Sequence, residues 1–267
     1  VFVCGRDIEA EGSRRKVFLD YARKHIQGFH FLLAEDLFAL KEKRDEDLLT
    51  IEKGLTKYSD CIVIILESES AFTELGAFAV HDELCPMILP INNRNFSESL
   101  SFINLGPLEK IDSLKKGLGP TIHADMASFA HCFSEVQDRL GRIKRSRRER
   151  IGLETFLEFV TNDKKRLLLV CDLINLFAPI SRKELILFFR KLYGEERFNA
   201  VHFDIQVLSA LSFVAEREGF LYSNNPNLHF VDFNHKYFQL KSDVILFYRK
   251  NFPERLRILG EVAANAI

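Results

Sequence analysis

The sequence predicts an α/β protein, a doubly wound parallel sheet, followed by a smaller α+β domain. Three observations carry this. Short apolar runs of strand length alternate with segments of helical periodicity through the first half, the pattern of a parallel sheet with right-handed crossovers. The second half turns to three helical segments and then to an alternating apolar and polar stretch. Charge divides at the same place: residues 1–135 hold 15 Lys/Arg against 22 Asp/Glu, and residues 136–267 hold 22 against 16.

The elements follow in order. VFVC (1–4) is a short apolar strand that meets Gly5-Arg6-Asp7. Residues 13–26 have helical spacing, and 29–38 (FHFLLAEDLF) reads as a second strand stopping at Glu35-Asp36. DEDLLTIEKGLTKY (45–58) has period 3.6 and an acidic start, hence a helix with a favourable dipole. CIVIIL (61–66) is a continuous apolar run, expected of a central strand covered on both faces. A helix is expected from Thr73 to Asp82, and PMILPI (86–91) is another strand. Residues 126–160 look largely helical and contain the basic run RIKRSRRER at 142–150. The helix RLLLVCDLINLFAP (166–179) is closed by Pro179, and Ser181 with Glu184 forms a capping box on the next helix, ended by Gly194. A third helix is expected over 204–219. Residues 220–233 and 235–240 then alternate around Asn224-Asn225-Pro226 as a β-hairpin. Three helices and a hairpin spell a winged helix. The domains are therefore read as 1–135, a helical basic linker at 136–162, and a winged-helix-like domain at 163–267.

Composition narrows the class. The chain has 267 residues, 47% hydrophobic and 28% charged, with net charge −1. No apolar run reaches the roughly 18 residues that span a membrane. Val1 is not a natural start, so a preceding N-terminal segment is expected. Five scattered cysteines without a C-x-x-C make neither a disulfide framework nor a zinc site, which fits a reducing cytoplasm. His81, His123, His131, His202, His229 and His235 show no metal-ligand spacing, so no metal is expected.

The most informative stretch is Ser59 to Ala79, a strand, a polar turn and a helix start. It gathers Glu67, Glu69 and Glu74 with Ser68, Ser70 and Thr73. Ligands of doubly wound folds sit beyond the carboxyl ends of the strands, which here offer Gly5, Arg6, Glu35, Asp36, Glu67, Ser68 and Asn92. A helix N-terminus with hydroxyls suits an anion such as phosphate. A carboxylate at Glu74 facing a ribose can attack C1′ or stabilise an oxocarbenium-like transition state, with Glu52 as candidate partner. The plain alternative is that acids in a helix's first turn serve its dipole. Asp36 has the plain role of a helix cap, Asn104 of a turn residue, and Arg6 of a solvated cation.

The pattern S-D-x-x-V-x-x-L-x-S-x-S-x-x-T-E-L-G-A-F-A resembles the nucleoside deoxyribosyltransferase-like superfamily, a Rossmann-like fold. That resemblance places the nucleophilic glutamate of the E-L-G triplet on Glu74, the small polar or phosphate-contacting position on Ser68, and a helper acid on Glu52. Ser68 stands where true transferases carry aspartate, which points to hydrolysis more than to base exchange. FVCGRDI, LAEDLF, the Ser59–Ala79 block and SFINLGPL (101–108) together resemble the effector proteins of retron anti-phage systems. This implies an N-glycosidase toxin cleaving NAD, as substrate and not cofactor, to nicotinamide and ADP-ribose. It also implies a reverse transcriptase, multicopy single-stranded DNA (msDNA) and its associated non-coding RNA as inhibitory partners, and a higher-order assembly. Gly5, Arg6, Asp36, Glu67 and Asn104 are then expected at the substrate.

Phosphate contact with msDNA or RNA is expected of Arg142, Lys144, Arg145, Arg147, Arg148 and Arg150, and of Arg182, Lys183, Arg190 and Lys191; a solvated interdomain helix is the plain alternative for the run. The expected third helix carries Asp204, Glu216 and Glu218 with only Arg217, poor equipment for a major groove. Two other functions stay open: a glycosidase releasing bases from nucleotides or DNA, and a non-enzymatic, nucleotide-sensing winged-helix regulator that binds DNA.

Overall fold

Strands β1 (Phe2–Cys4), β2 (Ile62–Ile65), β3 (Ile88–Asn93) and β4 (Ile122–Ala124) form a parallel sheet in that order. This is a computed structural model, which describes residues 1–37, 54, 56–143, 149, 150, 158, 159, 161–193, 199–233 and 236–257. Two units divide the chain, Val1–Arg145 and Ser146–Ile267.

The sheet of the first unit is covered on both faces, which explains the unbroken apolar run at 61–66. Val1, Val3, Cys61, Val63 and Ile65 point into one core with Phe18, Leu19 and Ala22 of helix α1 (Arg14–His25). Helix α2 (Glu69–Ala79) covers the opposite face, where Phe2, Ile62, Ile64, Leu75 and Phe78 are fully buried or nearly so. There the rings of Phe2 and Phe78 lie 6.3 Å apart. A short helix, α3 (Glu109–Asp112), follows a π-helical turn at Asn104–Leu108. Helix α4 (Phe133–Gly141) returns to the α1 face, adding Phe133, Val136 and Leu140 to the core. Each large side chain so buried contributes about 1.5–3 kcal/mol.

Three expectations in this unit are corrected. Of the strand expected over 29–38, the described residues 29–37 form only a single parallel bridge, Leu32 to Phe2, and the chain then tightens into a 3-10 turn at Glu35–Leu37. The Asp36 carboxylate accepts the Leu33 N–H (3.0 Å), which closes the turn just after the bridge. Helix α2 starts at Glu69, not Thr73, because Ser68 caps it. Strand β4 was not expected; its three residues follow Gly119-Pro120 and were hidden by their shortness. The helix expected at 45–58 lies outside the described residues, apart from Gly54 and Thr56–Tyr58.

Leu32 joins β1 on the edge away from β2, since Leu32 bonds Val1 O and Val3 N while Phe2 N bonds Cys61 O. The chain thus goes to one side of β1 and then to the other. The reversal makes the carboxyl ends of β1 and β2 the topological switch point, where ligands bind in such folds.

The second unit holds β5 (Glu149–Arg150), α5 (Asp163–Phe177), β6 (Ile180–Ser181), α6 (Arg182–Tyr193), α7 (Asn199–Ala210), β7 (Val214–Arg217), β8 (Phe220–Ser223), β9 (Val231–Asp232) and α8 (Tyr237–Asn251). Both halves of the expected capping box form: Ser181 N–H reaches Glu184 Oε2 (3.0 Å), and Glu184 N–H reaches Ser181 Oγ (3.2 Å). Strands β7 and β8 form an antiparallel hairpin, with β6 on the far edge of β8.

The third helix and the hairpin are shifted from expectation. Helix α7 ends in a Schellman arrangement, with Phe213 N–H on Leu208 O, Ser212 N–H on Ser209 O, and Ser212 at φ 57°. Glu218 (φ 52°) and Gly219 (φ 79°) form the hairpin turn, as both left-handed positions of a two-residue turn require. Gly219 therefore closes a hairpin and not a helix. Of the strand expected over 235–240, residues 237–240 are the start of α8, whose Tyr237 and Tyr248 are buried. Asp172, wholly buried, accepts the N–H groups of Phe230 (2.9 Å) and Val231 (2.7 Å) and holds the chain leading into it.

Candidate active site at the switch point

After β2 the Glu67 N–H turns back onto Ile65 O (2.9 Å), which swings the Glu67 side chain toward the end of β1. Its carboxylate is 2% exposed and accepts three main-chain donors, Arg14 N–H on Oε2 (2.9 Å) and Arg15 (2.9 Å) and Arg6 (3.3 Å) N–H on Oε1. The Arg14 guanidinium lies 3.6 Å from it. These are the open amides at the start of α1, together with the turn before it.

Gly5 is buried beneath this carboxylate. A Cβ on it would lie 3.1 Å from Arg15 Cβ and 3.3 Å from Glu67 Oε1, so the close approach requires glycine. The Arg6 guanidinium donates to the main-chain oxygens of Glu67 (3.3 Å) and Glu11 (3.5 Å). Buried Arg15 pairs with Glu35 through its two terminal guanidinium nitrogens, Nη1 and Nη2. Arg14 and Arg15 were not singled out from sequence; a basic pair just after the cap Ser13 reads as solvated helix surface, and only the tertiary contacts show otherwise.

Across the switch point Ser68 is the N-cap of α2, its Oγ accepting Ala71 N–H (3.4 Å) and lying 3.0 Å from Ser70 Oγ. Thr73 Oγ1 returns to Glu69 O (2.9 Å). Glu69 is the first residue of the helix and serves its dipole. Glu74 is half-buried in the second turn, not the first, since the helix begins earlier than expected. The dipole effect fades within one turn, so the plain explanation for an acid applies to Glu69 and weakly to Glu74. Gly76, in the same triplet, has none of the described residues within reach of a Cβ.

Asp36 is half-buried beyond Leu32, and burial raises its carboxyl above the ordinary range, partly opposed by the Leu33 hydrogen bond and by Arg23. Asn104 is committed locally: its Nδ2 donates to Phe96 O (2.7 Å) and Ser99 O (2.8 Å), and its Oδ1 accepts from Asn92 Nδ2 (3.4 Å) at the end of β3. It holds the loop after β3 onto the π-helical turn, which packs against α2. Glu52 lies outside the described residues.

Of the basic candidates, Arg142 is exposed at the end of α4, while Lys144, Arg145, Arg147 and Arg148 lie outside the described residues. Nothing is described of the Arg150 side chain. Arg182 pairs with Glu216 of β7 (2.6 Å), and Lys183 is exposed. Asp204 is wholly buried on Arg166 (2.6 Å), so it does not face a groove. Burial works against the Arg166 charge, but Asp204 and Asp163 outweigh it and raise its pKa. The five cysteines are all buried and form no disulfide, with burial pushing the Cys61 and Cys171 thiols up to about 12. No metal-holding group and no helix able to cross a membrane occurs among the described residues.

Residues 11–217 match the model of the STM3845 retron effector protein family. The chain belongs to this retron effector family. The "Retron Ec73 putative ribosyltransferase/DNA-binding protein" of Escherichia coli is 28% identical over 281 aligned positions, covering 98% of this chain and 88% of the relative. The retron Ec86 protein of the same organism, which carries the same description, is 33% identical over 110 positions, or 40% of this chain and 36% of its own length. This effector therefore pairs an α/β unit, whose switch point gathers Gly5, Arg6, Glu67 and Ser68, with a second unit of helices and a hairpin.

Proposed function

We propose that this retron effector is an N-glycosidase that cleaves the nicotinamide–ribose bond of NAD, with Glu74 as the catalytic carboxylate. The observation that carries the reading is the position of Glu74, on the helix leaving β2 at the switch point and past the reach of the helix dipole. The ribosyltransferase in the relatives' names supports chemistry at a ribose C1′.

The nicotinamide of NAD is already cationic, so the glycosidic C–N bond breaks with its electron pair going to nitrogen and nicotinamide leaves neutral. No acid need protonate it. The Glu74 carboxylate stabilises the developing oxocarbenium or bonds to C1′. Water then attacks C1′, displacing the Glu74 carboxylate where it has bonded there, passes its proton to a carboxylate or to solvent, and gives ADP-ribose. Glu52 is proposed as helper acid. Ser68 is proposed to anchor ribose or phosphate with its remaining hydroxyl capacity, and Arg6 to meet the pyrophosphate with its remaining N–H groups. Asp36 and Asn104 are proposed to shape the site.

The second unit is proposed as a winged helix, from α5, α6, α7 and the β7–β8 hairpin in that order. With the retron's reverse transcriptase, msDNA and non-coding RNA it keeps the enzyme inactive in the cytoplasm, within a higher-order assembly. Lys183 and the basic run from Arg142 supply backbone contacts.

The test is nicotinamide release from NAD by the purified chain free of its partners, beside Glu74→Gln. The wild type is expected to turn NAD over and the variant not to. Base release from nucleotides or DNA with NAD untouched selects the base-releasing glycosidase. Equal activity in Glu74→Gln removes Glu74 from the chemistry.

A further inference from the structure

We infer that Glu67 is a positioning residue whose carboxylate fills the anion seat at the N-terminus of α1, fixing the turn that bears Gly5 and Arg6 and closing that helix end to substrate phosphate. The inference rests on the proposed nucleotide-cleaving site. It replaces the direct substrate contact expected of Glu67 from sequence.

In open α/β folds the first strand–helix turn is the usual place for a nucleotide phosphate, because its amides are unsatisfied and the dipole favours negative charge. Here the charge comes from the protein. Both Glu67 oxygens are engaged by main-chain N–H groups of Arg6, Arg14 and Arg15, and the carboxylate is shut from solvent. A buried carboxylate is tolerated only when so satisfied. The glycine below removes the last steric obstacle, since even a methyl at residue 5 would crowd Oε1.

The consequence reaches Arg6 twice. Its main-chain N–H rests on Glu67 Oε1 and its guanidinium on Glu67 O. One residue on β2's exit thus sets where the β1 turn points its cation. Aspartate, one carbon–carbon bond shorter, would draw the oxygens back from the amides. Substrate phosphate is left with the space on the Arg6 and α2 side of the switch point.

The test uses the full chain as wild type, Glu67→Ala, Glu67→Gln and Glu67→Asp, each verified as folded by circular dichroism. Amide nitrogen–proton signals of Arg14 and Arg15 are followed while inorganic phosphate is added. They are expected to stay still in the wild type and to shift and saturate in Glu67→Ala, where the seat is vacated. If Glu67→Ala does not fold, Glu67→Gln replaces it, since one of its two acceptor oxygens is gone. Wild-type signals that shift with phosphate, or signals that stay still in folded Glu67→Ala (or in Glu67→Gln where it replaces it), overturn the inference. This readout needs no turnover, so it stands apart from failure of the NAD assay. Where NAD is cleaved, Glu67→Ala is expected to raise KM at least about tenfold with kcat within about threefold, and Glu67→Asp to recover part of the loss. A fall in kcat at unchanged KM would place Glu67 in the chemistry instead and overturn the positioning role.

Discussion

The first unit contains two strand–helix turns side by side, and they treat the same electrostatic opportunity in opposite ways. At the β1–α1 turn, three amides converge on Glu67, a buried carboxylate supplied by the neighbouring strand. At the β2–α2 turn, the Ser68 hydroxyl caps the helix, and at 3.4 Å it does so loosely. One helix start is filled from within. The other keeps hydroxyls at its rim and an acid, Glu74, one turn further on. The two turns thus differ in what meets their helix amides: one holds a buried carboxylate, and the other is where the chemistry is proposed.

Breaking the proposed chemistry gives the largest effect. Glu74→Gln is expected to lower NAD turnover at least about a thousandfold, with an unchanged thermal melt, measured by nicotinamide release and calorimetry side by side. A melt that collapses along with the activity would put Glu74 on the architectural side of the comparison.

The filled turn is tested through its glycine. Gly5→Ala sets a methyl against Arg15, itself buried and fixed on Glu35. Stability is expected to fall by about 1–3 kcal/mol, read from urea denaturation. An unchanged midpoint would show that the turn is looser than its hydrogen bonds indicate.

The open turn responds less. Ser68→Ala removes a long cap bond and is expected to cost about 0.5–1 kcal/mol, read the same way. If turnover falls much more than stability, Ser68 touches substrate as well as capping α2.

Asp36, near the filled turn, gives the smallest and most pH-dependent effect. Its folded pKa is raised above the unfolded one, chiefly by burial. Its contribution is therefore present below the unfolded pKa and is lost as pH rises through the folded pKa. Asp36→Asn keeps an acceptor for Leu33 N–H while removing the buried charge. The variant is expected to melt slightly higher than wild type at pH 7, and the gap is expected to close in acid. A gap that widens in acid would show the carboxylate to be stabilised, not strained.

Much of this was legible in the sequence. CIVIIL reads as a doubly covered strand because its unbroken apolar run leaves no face for water, and the Ser181/Glu184 box forms as its spacing dictates. Other elements were hidden for physical reasons. The 29–38 stretch is apolar enough for a strand, but after one bridge at Leu32 the chain tightens into the 3-10 turn at Glu35–Leu37. Ser212 ends α7 in a left-handed conformation usually marked by glycine, so Gly219 drew the boundary too late. Asp204 looked like an acid on an exposed helix and is in fact the buried partner of Arg166.

The sequence by itself determined the alternation of strands and helices, the acidic turn and the retron effector signature, because these depend on local periodicity and short-range spacing. Only the tertiary structure decided where each of the three acids stands. Glu67, Glu69 and Glu74 lie within eight residues and look alike as a string. Folding places β2's exit beside α1, so Glu67 is spent on the amides of another element. Glu69 goes to its own helix dipole, and Glu74 is carried one turn beyond both.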